Sequence, residues 1–357
     1  MTLTVKQINR FCLLACAPFI GLAIWLMAAN LSITLPESAF PQLALTQANV
    51  PADAAKLTAG LDRAKQTATV TAKSLKKSIA LYTATNKSMR AIATIAAAQS
   101  DRPYLIYDRR ITRKIGAPAK QINSDKVRAQ LFAIHAQHFN GYALKVKLKS
   151  EGAMKMVLGQ DKYGGAETTL AAAQRYHAIA GVNAGGFADD GGKRYPLSTT
   201  MMNGSYLNGF DPSFKDLFFV GLSDDMKLIG GKYASKAQLD SEQPRFGASF
   251  VPVLLQNGNP QPIPAKWQTS PLRAPRTVIA NYKDDQLLFL VIDGRNENGS
   301  SGATLAEVQL LLERYGAIDG YNLDGGGSSS LVFDGRVVNH PSDGRLRPVP
   351  THFLFFK

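Results

Sequence analysis

Three short segments of this sequence combine glycine with a carboxylate, amide or guanidinium side chain at a predicted strand end. They cover residues 183–187, 293–295 and 322–329. Glycine at the end of a strand lets the main chain approach a ligand and direct its amide N–H groups towards it. Any one of these segments alone is more readily explained as a simple turn. Three of them in one chain, two with an aspartate, favour a binding or catalytic site.

The third segment has the most distinctive composition. Asp324 follows the apolar Leu323 and precedes three glycines and three serines. A phosphate-binding P-loop would end in Gly-Lys-Ser or Gly-Lys-Thr, which this segment lacks. A dinucleotide fingerprint would be followed by a helix, whereas a strand is predicted here. The pattern therefore predicts a carboxylate at an amide-rich corner, with Ser328 and Ser329 as hydrogen-bond donors.

Other side chains suited to chemistry are one glutamate and several arginines. Glu307 lies in the first turn of a predicted helix, but Thr304 three residues earlier makes a capping box, so a structural role stays open. Arg276, Arg295 and Arg347 carry forked donors that suit a phosphate or a carboxylate. On strand ends such arginines are also common surface residues.

Several kinds of site are excluded by residue type. The two cysteines, Cys12 and Cys16, lie in an apolar N-terminal segment, so the remainder of the chain has no disulfide and no thiolate. The histidines show no zinc-binding spacing, and no Gly-x-Ser-x-Gly motif is present. We therefore expect no cofactor and no metal. A divalent cation held by Asp324 and Asp293 is the alternative.

The elements that would position these residues lie in residues 127–357. Residues 142–148 alternate apolar and basic side chains, which predicts a half-buried strand. Further strands are predicted at 178–182, 277–282, 287–292, 330–333 and 352–356, and helices at 168–176 and 304–315. Strands and single helices mix without a strict repeat. We predict one α+β domain with mixed β-sheets and a few packed helices.

The N-terminal segment, residues 1–35, is predicted to be a membrane anchor. Residues 11–35 carry no charge, residues 11–29 are apolar, and Lys6 and Arg10 precede them. Such a run spans a bilayer, and the positive flank keeps the N-terminus in the cytoplasm. A cleavable signal peptide is the alternative. Either reading predicts an exported protein, anchored in the inner membrane and facing the periplasm or cell exterior, or else secreted.

Residues 36–126 are predicted to form a basic helical stalk and a linker. Residues 51–150 hold 19 Lys and Arg against 5 Asp and Glu, while the whole chain has a net charge of +14. Because these cations lie among Ala and Thr and not among stacking aromatics, nucleic-acid binding is not expected. An anionic membrane or polymer is the expected electrostatic partner.

A seven-residue repeat runs through the stalk and predicts one helix over residues 51–99. Its positions are Leu61, Ala68, Leu75, Tyr82, Met89 and Ala96. Half of these side chains are small or polar, so weak self-association is the most that the repeat predicts. Turn residues from 101 to 126 predict a linker.

The ordered motifs of residues 130–357 resemble the phosphodiester glycosidase family. The resemblance rests on residues 178–187, on Arg276-Thr277, on 292–295 followed by 302–307, and on 322–329 followed by 338–342 and Arg347. The last motif is the most specific. This chain departs from the family at Ala188-Asp189, where a second aromatic residue is common, and over residues 195–260.

The resemblance implies hydrolysis of the bond between a sugar's anomeric carbon and a phosphate. Asp324 would be the first choice for the catalytic carboxylate and Asp293 the second, with Glu307 as acid or orienting group. The implied substrate contacts are Asn183, Gly185, Gly186, Arg276, Gly294, Arg295, Thr304, Asn322, Gly325, Gly326, Ser328, Ser329, His340 and Arg347. The expected substrate is a sugar-phosphate polymer or glycoconjugate of the envelope. A non-catalytic glycan-binding module of an exopolysaccharide assembly is the alternative.

Overall fold

The computed structural model describes residues 50–295 and 299–357. The chain divides into two compact units, Met1–Ala91 and Ile92–Lys357. The described residues contain five α-helices: α1 Val50–Ile115, α2 Thr169–Arg175, α3 Lys236–Asp240, α4 Ala265–Thr269 and α5 Leu305–Tyr315. Two 3-10 turns, Gly159–Asp161 and Gly326–Ser328, accompany them.

Twenty β-strands are present in the same residues. They are β1 Lys120–Asn123, β2 Val127–His135, β3 Asn140–Leu148, β4 Met154–Leu158, β5 Ala180–Asn183, β6 Phe187–Asp190, β7 Lys193–Pro196, β8 Met201–Met202, β9 Ser205–Tyr206, β10 Phe218–Ser223, β11 Leu228–Gly231, β12 Pro244–Phe250, β13 Val253–Gln256, β14 Asn259–Pro260, β15 Arg276–Asn281, β16 Leu287–Ile292, β17 Gly320–Leu323, β18 Leu331–Phe333, β19 Arg336–Val337 and β20 Thr351–Phe355.

These strands form several sheets. An eight-stranded sheet has the order β1-β2-β3-β16-β15-β17-β13-β14, and two five-stranded sheets have the orders β11-β10-β12-β8-β9 and β19-β18-β5-β20-β4. Strands β6 and β7 form a separate hairpin. The predicted α+β class is confirmed. The sheets are not mixed, however, because the ladders between the described strands are antiparallel, often across a short hairpin such as β2–β3 or β15–β16.

The eight-stranded sheet is covered on both faces. One face packs on the five-stranded sheets through residues such as Phe289 and Phe353, and the other packs on α5 and the end of α1 through residues such as Leu290 and Leu312. Strand β16 is accordingly buried at every position. A strand between two covered faces has no solvent side, so its sequence is apolar throughout.

Burial of both faces also overturns one prediction. Lys145, on the strand predicted to be half-buried, is only 1% exposed. Its Nζ donates to Asp108 Oδ1 and to Thr112 Oγ1 of α1, at 2.7 Å each. Burial lowers the Lys145 pKa, while the Asp108 carboxylate opposes that shift. The alternation in the sequence could not show that a helix covers the basic face.

Helix α1 is longer than the sequence suggests. The helix predicted over residues 51–99 is present, but it continues through Pro103 to Ile115. Residues 120–123 then form β1, so the predicted linker over 101–126 is wrong. Ile111 is buried in the core beside the eight-stranded sheet, which keeps this end of the helix ordered. Turn-forming residues were outweighed by this packing.

The stalk repeat lies within the described residues, whereas the predicted membrane anchor does not. Leu61, Leu75, Tyr82 and Met89 are exposed by 61–74%, and their self-association stays a prediction. The predicted anchor, residues 1–35, lies outside the described residues. Within 50–295 and 299–357, no helix combines the length and hydrophobicity needed to cross a bilayer.

Local signals place the two predicted helices of the domain correctly. Thr168 caps α2 by accepting a hydrogen bond from the Ala171 amide. Thr304 and Glu307 form a reciprocal capping box at the start of α5, and Gly316 ends that helix with a positive φ. Helix α5 thereby carries the chain from the end of β16 to the start of β17.

Candidate active site

Strand order brings the two aspartate segments together at the ends of three neighbouring central strands of the eight-stranded sheet. Strand β15 lies between β16 and β17, with Arg276 opposite Ile292 and Thr277 opposite Leu323. Asp293 and Asp324 each follow a strand of this trio at the edge where β15 begins. Two strand spacings separate them, or about 10 Å between main chains.

Pro275 is the point on which the two glycine segments converge. A Cβ at Gly294 would lie 2.9 Å from the Pro275 nitrogen, and a Cβ at Gly325 would lie 2.8 Å from its carbonyl oxygen. The Gly326 amide donates to that carbonyl at 2.9 Å. Glycine at 294 and 325 therefore permits contact between main chains. The sequence predicted that these glycines contact a ligand, whereas the structure shows them in contact with Pro275.

The segment after β5 joins the same corner. The Asp324 amide donates to the Ala184 carbonyl at 3.2 Å, and Asn183 Nδ2 donates to the Asp324 carbonyl at 2.6 Å. Asn183 Oδ1 accepts from Thr277 Oγ1 and from the Ser330 amide, both at 3.0 Å. All three predicted segments thus meet. Because its amide group is used within the protein, Asn183 braces the corner, and its substrate contact stays a prediction.

The Asp324 carboxylate is the most unusual group in this corner. Its Oδ2 is inaccessible and, like Ser328 Oγ, makes no hydrogen bond of good geometry among the described residues, although the Ser328 hydroxyl and the Gly325 amide lie close enough to stabilise the anion. Burial raises the pKa of Asp324 to about 6, against the opposing effects of the Ser328 hydroxyl and the Arg347 charge. The Gly325 amide and the Arg194 charge oppose the shift more weakly. At neutral pH this carboxyl is mostly ionised yet close to titration.

Two guanidinium groups are near enough to act on Asp324. Arg347 Nη2 donates to Asp343 Oδ2 at 2.7 Å, and the space that a Cβ of Gly327 would occupy is filled by this pair. Glycine at 327 is therefore required for the pair to lie against the loop. Arg347 was predicted, and the structure brings it to the glycine corner.

Arg194 was not predicted. It lies on β7 opposite Asp189 of β6, donates to that carboxylate at 3.0 Å, and stacks on the Phe187 ring at 4.9 Å. Its Nη1 also donates to the Pro348 carbonyl. The signal for it was the turn 189–193, Asp-Asp-Gly-Gly-Lys, which is typical of a hairpin and would have paired Arg194 with Asp189.

Asp293 is held by His340. The His340 amide donates to Asp293 Oδ1 at 2.8 Å, and His340 Nδ1 lies 3.2 Å from Asp293 Oδ2. Burial raises the pKa of Asp293, and the hydrogen bonds from His340 oppose that shift. The carboxylate is 2% exposed, whereas the imidazole is 61% exposed. Both residues line a small cavity of about 140 Å³ with Asn140 and Ser300.

Asn339 connects this pair to the glycine corner. Asn339 Nδ2 donates to the Ser329 carbonyl at 3.0 Å, and its Oδ1 accepts from the Leu331 amide at 2.8 Å. The same side chain interacts with Asp293 and opposes the rise in its pKa. The residue before His340 is thus tied to the loop after Asp324. Its role was not predicted, because an isolated Asn before His-Pro carries no signal.

Glu307 is occupied by its own helix terminus. Oε2 accepts from the Thr304 amide at 2.8 Å, and Oε1 accepts from Arg273 Nη2 at 2.6 Å. Burial raises the Glu307 pKa, but the bonds from Thr304 and Arg273 outweigh it, so the pKa is lowered. A group stabilised as the anion is poorly suited to be an acid. The capping role therefore accounts for both Thr304 and Glu307.

Arg276 and Asn322 also serve the fold. The Arg276 guanidinium is buried and donates to the carbonyls of Ala303 and Pro271, and burial lowers its pKa to about 10, helped by the Arg295 charge. Asn322 Nδ2 donates to the Val251 carbonyl at 2.7 Å, although its buried Oδ1 has no partner among the described residues. These donors hold the fold together, and the substrate contacts of both residues stay predictions.

Among the remaining residues predicted to contact a substrate, some pack within the protein and others lie in open space or at the surface. Gly185 and Gly186 pack against Ala248 and Phe250 of β12, where a Cβ would approach either side chain to 2.5 Å. Gly326 has open space around it, and Ser329 Oγ lies 3.1 Å from Thr277 Oγ1, within hydrogen-bond distance. Arg295 is exposed, and its substrate contact stays a prediction because residues 296–298 are outside the described part.

The absence of a metal stays a prediction, as does the alternative of a divalent cation at Asp324 and Asp293. In residues 50–295 and 299–357, no cluster of three or more His, Cys, Asp or Glu side chains is arranged to hold a metal ion. The arrangement instead offers a carboxylate, two nearby guanidinium groups and an exposed imidazole backed by a carboxylate. These groups suit general acid–base or nucleophilic chemistry on an anionic substrate.

Comparison with known proteins identifies a family for this chain. The family model described as phosphodiester glycosidase matches residues 176–356. The chain is 28% identical over 187 residues to the SPbeta prophage-derived uncharacterized protein YomE of Bacillus subtilis (strain 168), covering 51% of this chain and 28% of that protein. It is 28% identical over 137 residues to the N-acetylglucosamine-1-phosphodiester alpha-N-acetylglucosaminidase of Bos taurus, a match that covers 34% of this chain and 26% of that protein. The chain thus spans about a quarter of the length of these relatives.

The fold is also found in a solved structure. The catalytic domain of the zebrafish N-acetylglucosamine-1-phosphodiester alpha-N-acetylglucosaminidase, auto-inhibited by its pro-peptide, superposes with a TM-score of 0.54 at 20% identity. The match covers 68% of this chain and 87% of that domain. It shows a shared fold.

Proposed function

The chain belongs to the phosphodiester glycosidase family, and on that premise we propose that it hydrolyses the bond between a sugar's anomeric carbon and a phosphodiester. The observation that carries the proposal is the Asp324 carboxylate. It is buried without a partner for Oδ2 among the described residues, yet lies within reach of the charges of Arg347 and Arg194. A site that combines one available carboxylate with two cations suits an oxocarbenium-like sugar and an anionic leaving group.

In the proposed reaction, the bond between the anomeric carbon and the phosphate oxygen breaks and its electron pair leaves with the phosphate. Arg347 and Arg194 stabilise that charge, because each offers several N–H donors in a fixed plane. Asp324 either removes a proton from the attacking water or attacks the anomeric carbon itself, after which water hydrolyses the sugar ester. The separation of the reacting carboxyls in the substrate complex decides between inversion and retention.

His340 is the second group that we assign to the reaction. Asp293 holds its Nδ1, so Nε2 of an exposed imidazole is the atom presented to solvent and substrate. We assign it the proton transfer at the leaving oxygen. A phosphodiester is a weak base and needs little protonation, so this contribution is smaller than that of Asp324.

We further propose that the substrate is a sugar-1-phosphodiester in an envelope or exported polysaccharide. Support comes from the charge-free residues 11–35 after Lys6 and Arg10, which favour export, with an inner-membrane anchor as first choice and secretion after cleavage as second. N-acetylglucosamine is the first sugar to test, because relatives are named for its phosphodiester. Accessibility of residues beyond 35 to protease in spheroplasts would test the location, and full protection would contradict export.

The test of the activity is turnover by the full-length chain. Release of N-acetylglucosamine from a synthetic N-acetylglucosamine-1-phosphodiester would be followed with time, beside the neutral methyl glycoside of the same sugar. We expect release from the phosphodiester alone. Saturable binding of the phosphodiester without release, unchanged in Asp324→Asn, would replace hydrolysis by glycan binding. Loss of release with a chelator and recovery with a divalent metal would overturn the metal-free mechanism.

A further inference from the structure

A second concave surface lies at the other end of the eight-stranded sheet. It is lined by the last part of α1, by the end of β3 and by the turn between β15 and β16, and its volume is about 840 Å³. Pockets for small ligands have volumes of about 300–1,000 Å³. We call this surface the tyrosine groove, after Tyr104 and Tyr107.

The tyrosine groove combines aromatic faces with cations. Lys147 Nζ lies 5.4 Å from the centroid of the Tyr104 ring and donates to the Asp284 carbonyl at 2.7 Å. Lys149 and Lys283 line the same surface and are exposed. Three lysines against one aspartate give the lining a positive charge. A ligand that fits must therefore carry negative charge and present a flat or weakly polar face to the rings.

The walls of the groove are fixed before a ligand arrives. One turn after Tyr104, Asp108 is 3% exposed and bonds to Lys145 of β3. Asp108 Oδ2 also lies 3.1 Å from Arg128 Nη1 on β2. These contacts tie α1 to two neighbouring strands, so the tyrosines need little ordering when a ligand binds. Preorganised walls lose less free energy on binding than mobile ones do.

The groove is separate from the candidate active site. Strand β15 begins at Arg276 beside the glycine corner and ends at Asn281 beside the turn that lines the groove. Six strand residues rise about 20 Å in total. A small substrate at Asp324 therefore does not reach the groove, while a chain of several sugars is long enough to do so.

We propose that the tyrosine groove binds a segment of phosphorylated saccharide, with sugar faces on Tyr104 and Tyr107 and phosphates near Lys149 and Lys283. Sugar rings present C–H faces that pack on aromatic rings, and their phosphates complement the lysines. Polyphosphate carries the negative charge without sugar rings, and neutral glucan carries sugar rings without the charge, so neither alone satisfies both features of the groove. This binding does not depend on hydrolysis, so Asp324→Asn keeps it.

The experiment is a calorimetric titration of the full-length chain in detergent with three polymers. They are dextran phosphate, unmodified dextran, and polyphosphate matched to the dextran phosphate in charge. We expect dextran phosphate to bind at least tenfold more tightly than either of the others. Tyr104→Ala and Lys283→Ala should each weaken it fivefold or more. Equal binding of polyphosphate and dextran phosphate, unchanged by Tyr104→Ala, would overturn the proposal.

The matched control is a cation above an aromatic ring elsewhere in the same unit. Lys155 Nζ lies 5.5 Å from the Phe356 ring, so Lys155→Ala removes the same charge and a cation–π contact. The match to Lys283→Ala is in charge only, because the cation–π contact in the groove is that of Lys147. We expect Lys155→Ala to leave binding of dextran phosphate within twofold. An equal loss in Lys155→Ala and Lys283→Ala would show a diffuse charge effect and overturn the assignment. Tighter binding to phosphatidylglycerol vesicles than to dextran phosphate would assign the groove to lipid headgroups and also overturn it.

Discussion

The corners at Asp324 and Asp293 are alike in strand position and burial but differ in the hydrogen bonds that their carboxylates make. Each aspartate follows a strand that flanks β15, and burial raises the pKa of each. Both carboxylate oxygens of Asp293 face His340, whereas Asp324 Oδ2 has no partner in the described part of the chain. Burial alone therefore does not distinguish a reacting carboxylate. The difference lies in how firmly neighbours hold the carboxylate oxygens, and on that ground we propose Asp293 as a positioning residue and Asp324 as the reacting carboxylate.

The largest expected effect follows from replacing the available carboxylate. Asp324→Asn removes the negative charge needed at the anomeric carbon, and we expect kcat on a sugar phosphodiester to fall about 10³-fold. Steady-state kinetics would measure it. The matched control is Asp334→Asn, an exposed Asp-Gly turn with φ of 52° that asparagine also adopts. Equal activity of wild type and Asp324→Asn would remove the distinction between the two corners.

A smaller loss is expected at the partnered carboxylate. The substitution is Asp293→Asn. Its amide can donate a hydrogen bond to His340 Nδ1, which favours the imidazole tautomer opposite to the one that Asp293 imposes. We expect kcat to fall about 10²-fold, with a changed pH profile. A double-mutant cycle with His340→Gln should be strongly non-additive, since both changes affect one unit. Additive losses would mean that Asp293 acts independently of His340.

The free energy of unfolding should depend on pH through the raised pKa of Asp324. The native pKa of Asp324 is about 6 against an ordinary value of 3.8, so its contribution to stability falls as pH rises from 4 to 6. Asp324→Asn lacks this penalty and should be more stable than wild type by about 3 kcal/mol at pH 7, and by less than about 1 kcal/mol near pH 4. Urea unfolding at both values would measure it. His352, whose pKa burial lowers to about 4, titrates alike in both proteins and cancels. A difference that does not vary with pH would contradict the raised pKa.

The smallest effect is expected at the third predicted carboxylate. Glu307→Gln keeps the capping box, because glutamine also accepts from Thr304, and loses only the partly exposed bridge to Arg273. We expect a stability loss below about 1 kcal/mol and kcat within twofold of wild type. Thermal unfolding and kinetics would both be measured. A kcat reduced more than thirtyfold at unchanged stability would restore Glu307 as the acid.

The parts that the sequence predicts well are those with local causes. The helices after Thr168 and Thr304 have their caps beside them, and the strands of the β15–β16 hairpin are adjacent in the chain. The three glycine segments were also expected to lie close together, and they meet at one corner. The sequence could not show that Lys145 is buried under α1, because Asp108 lies 37 residues away.

Roles within the site were harder to predict than its location. Asn183, Arg276 and Asn322 are polar and close to the corner, yet each is used by main-chain groups or side chains of the fold. A sequence motif does not distinguish a ligand contact from a brace, since both need the same donors. Arg194 shows the converse, because its hairpin departs from the family pattern and still brings a cation to Asp324.

The order β16-β15-β17 has a consequence for how the site is assembled during folding. Strands β15 and β16, helix α5 and strand β17 follow one another from residue 276 to residue 323. A segment with such short sequence separations closes small loops, which favours early formation. Both aspartates therefore belong to one local folding unit. Arg347 follows Asp324 by only 23 residues, whereas Arg194 precedes it by 130 residues. We therefore expect the Arg194 guanidinium to join the corner after the two aspartates.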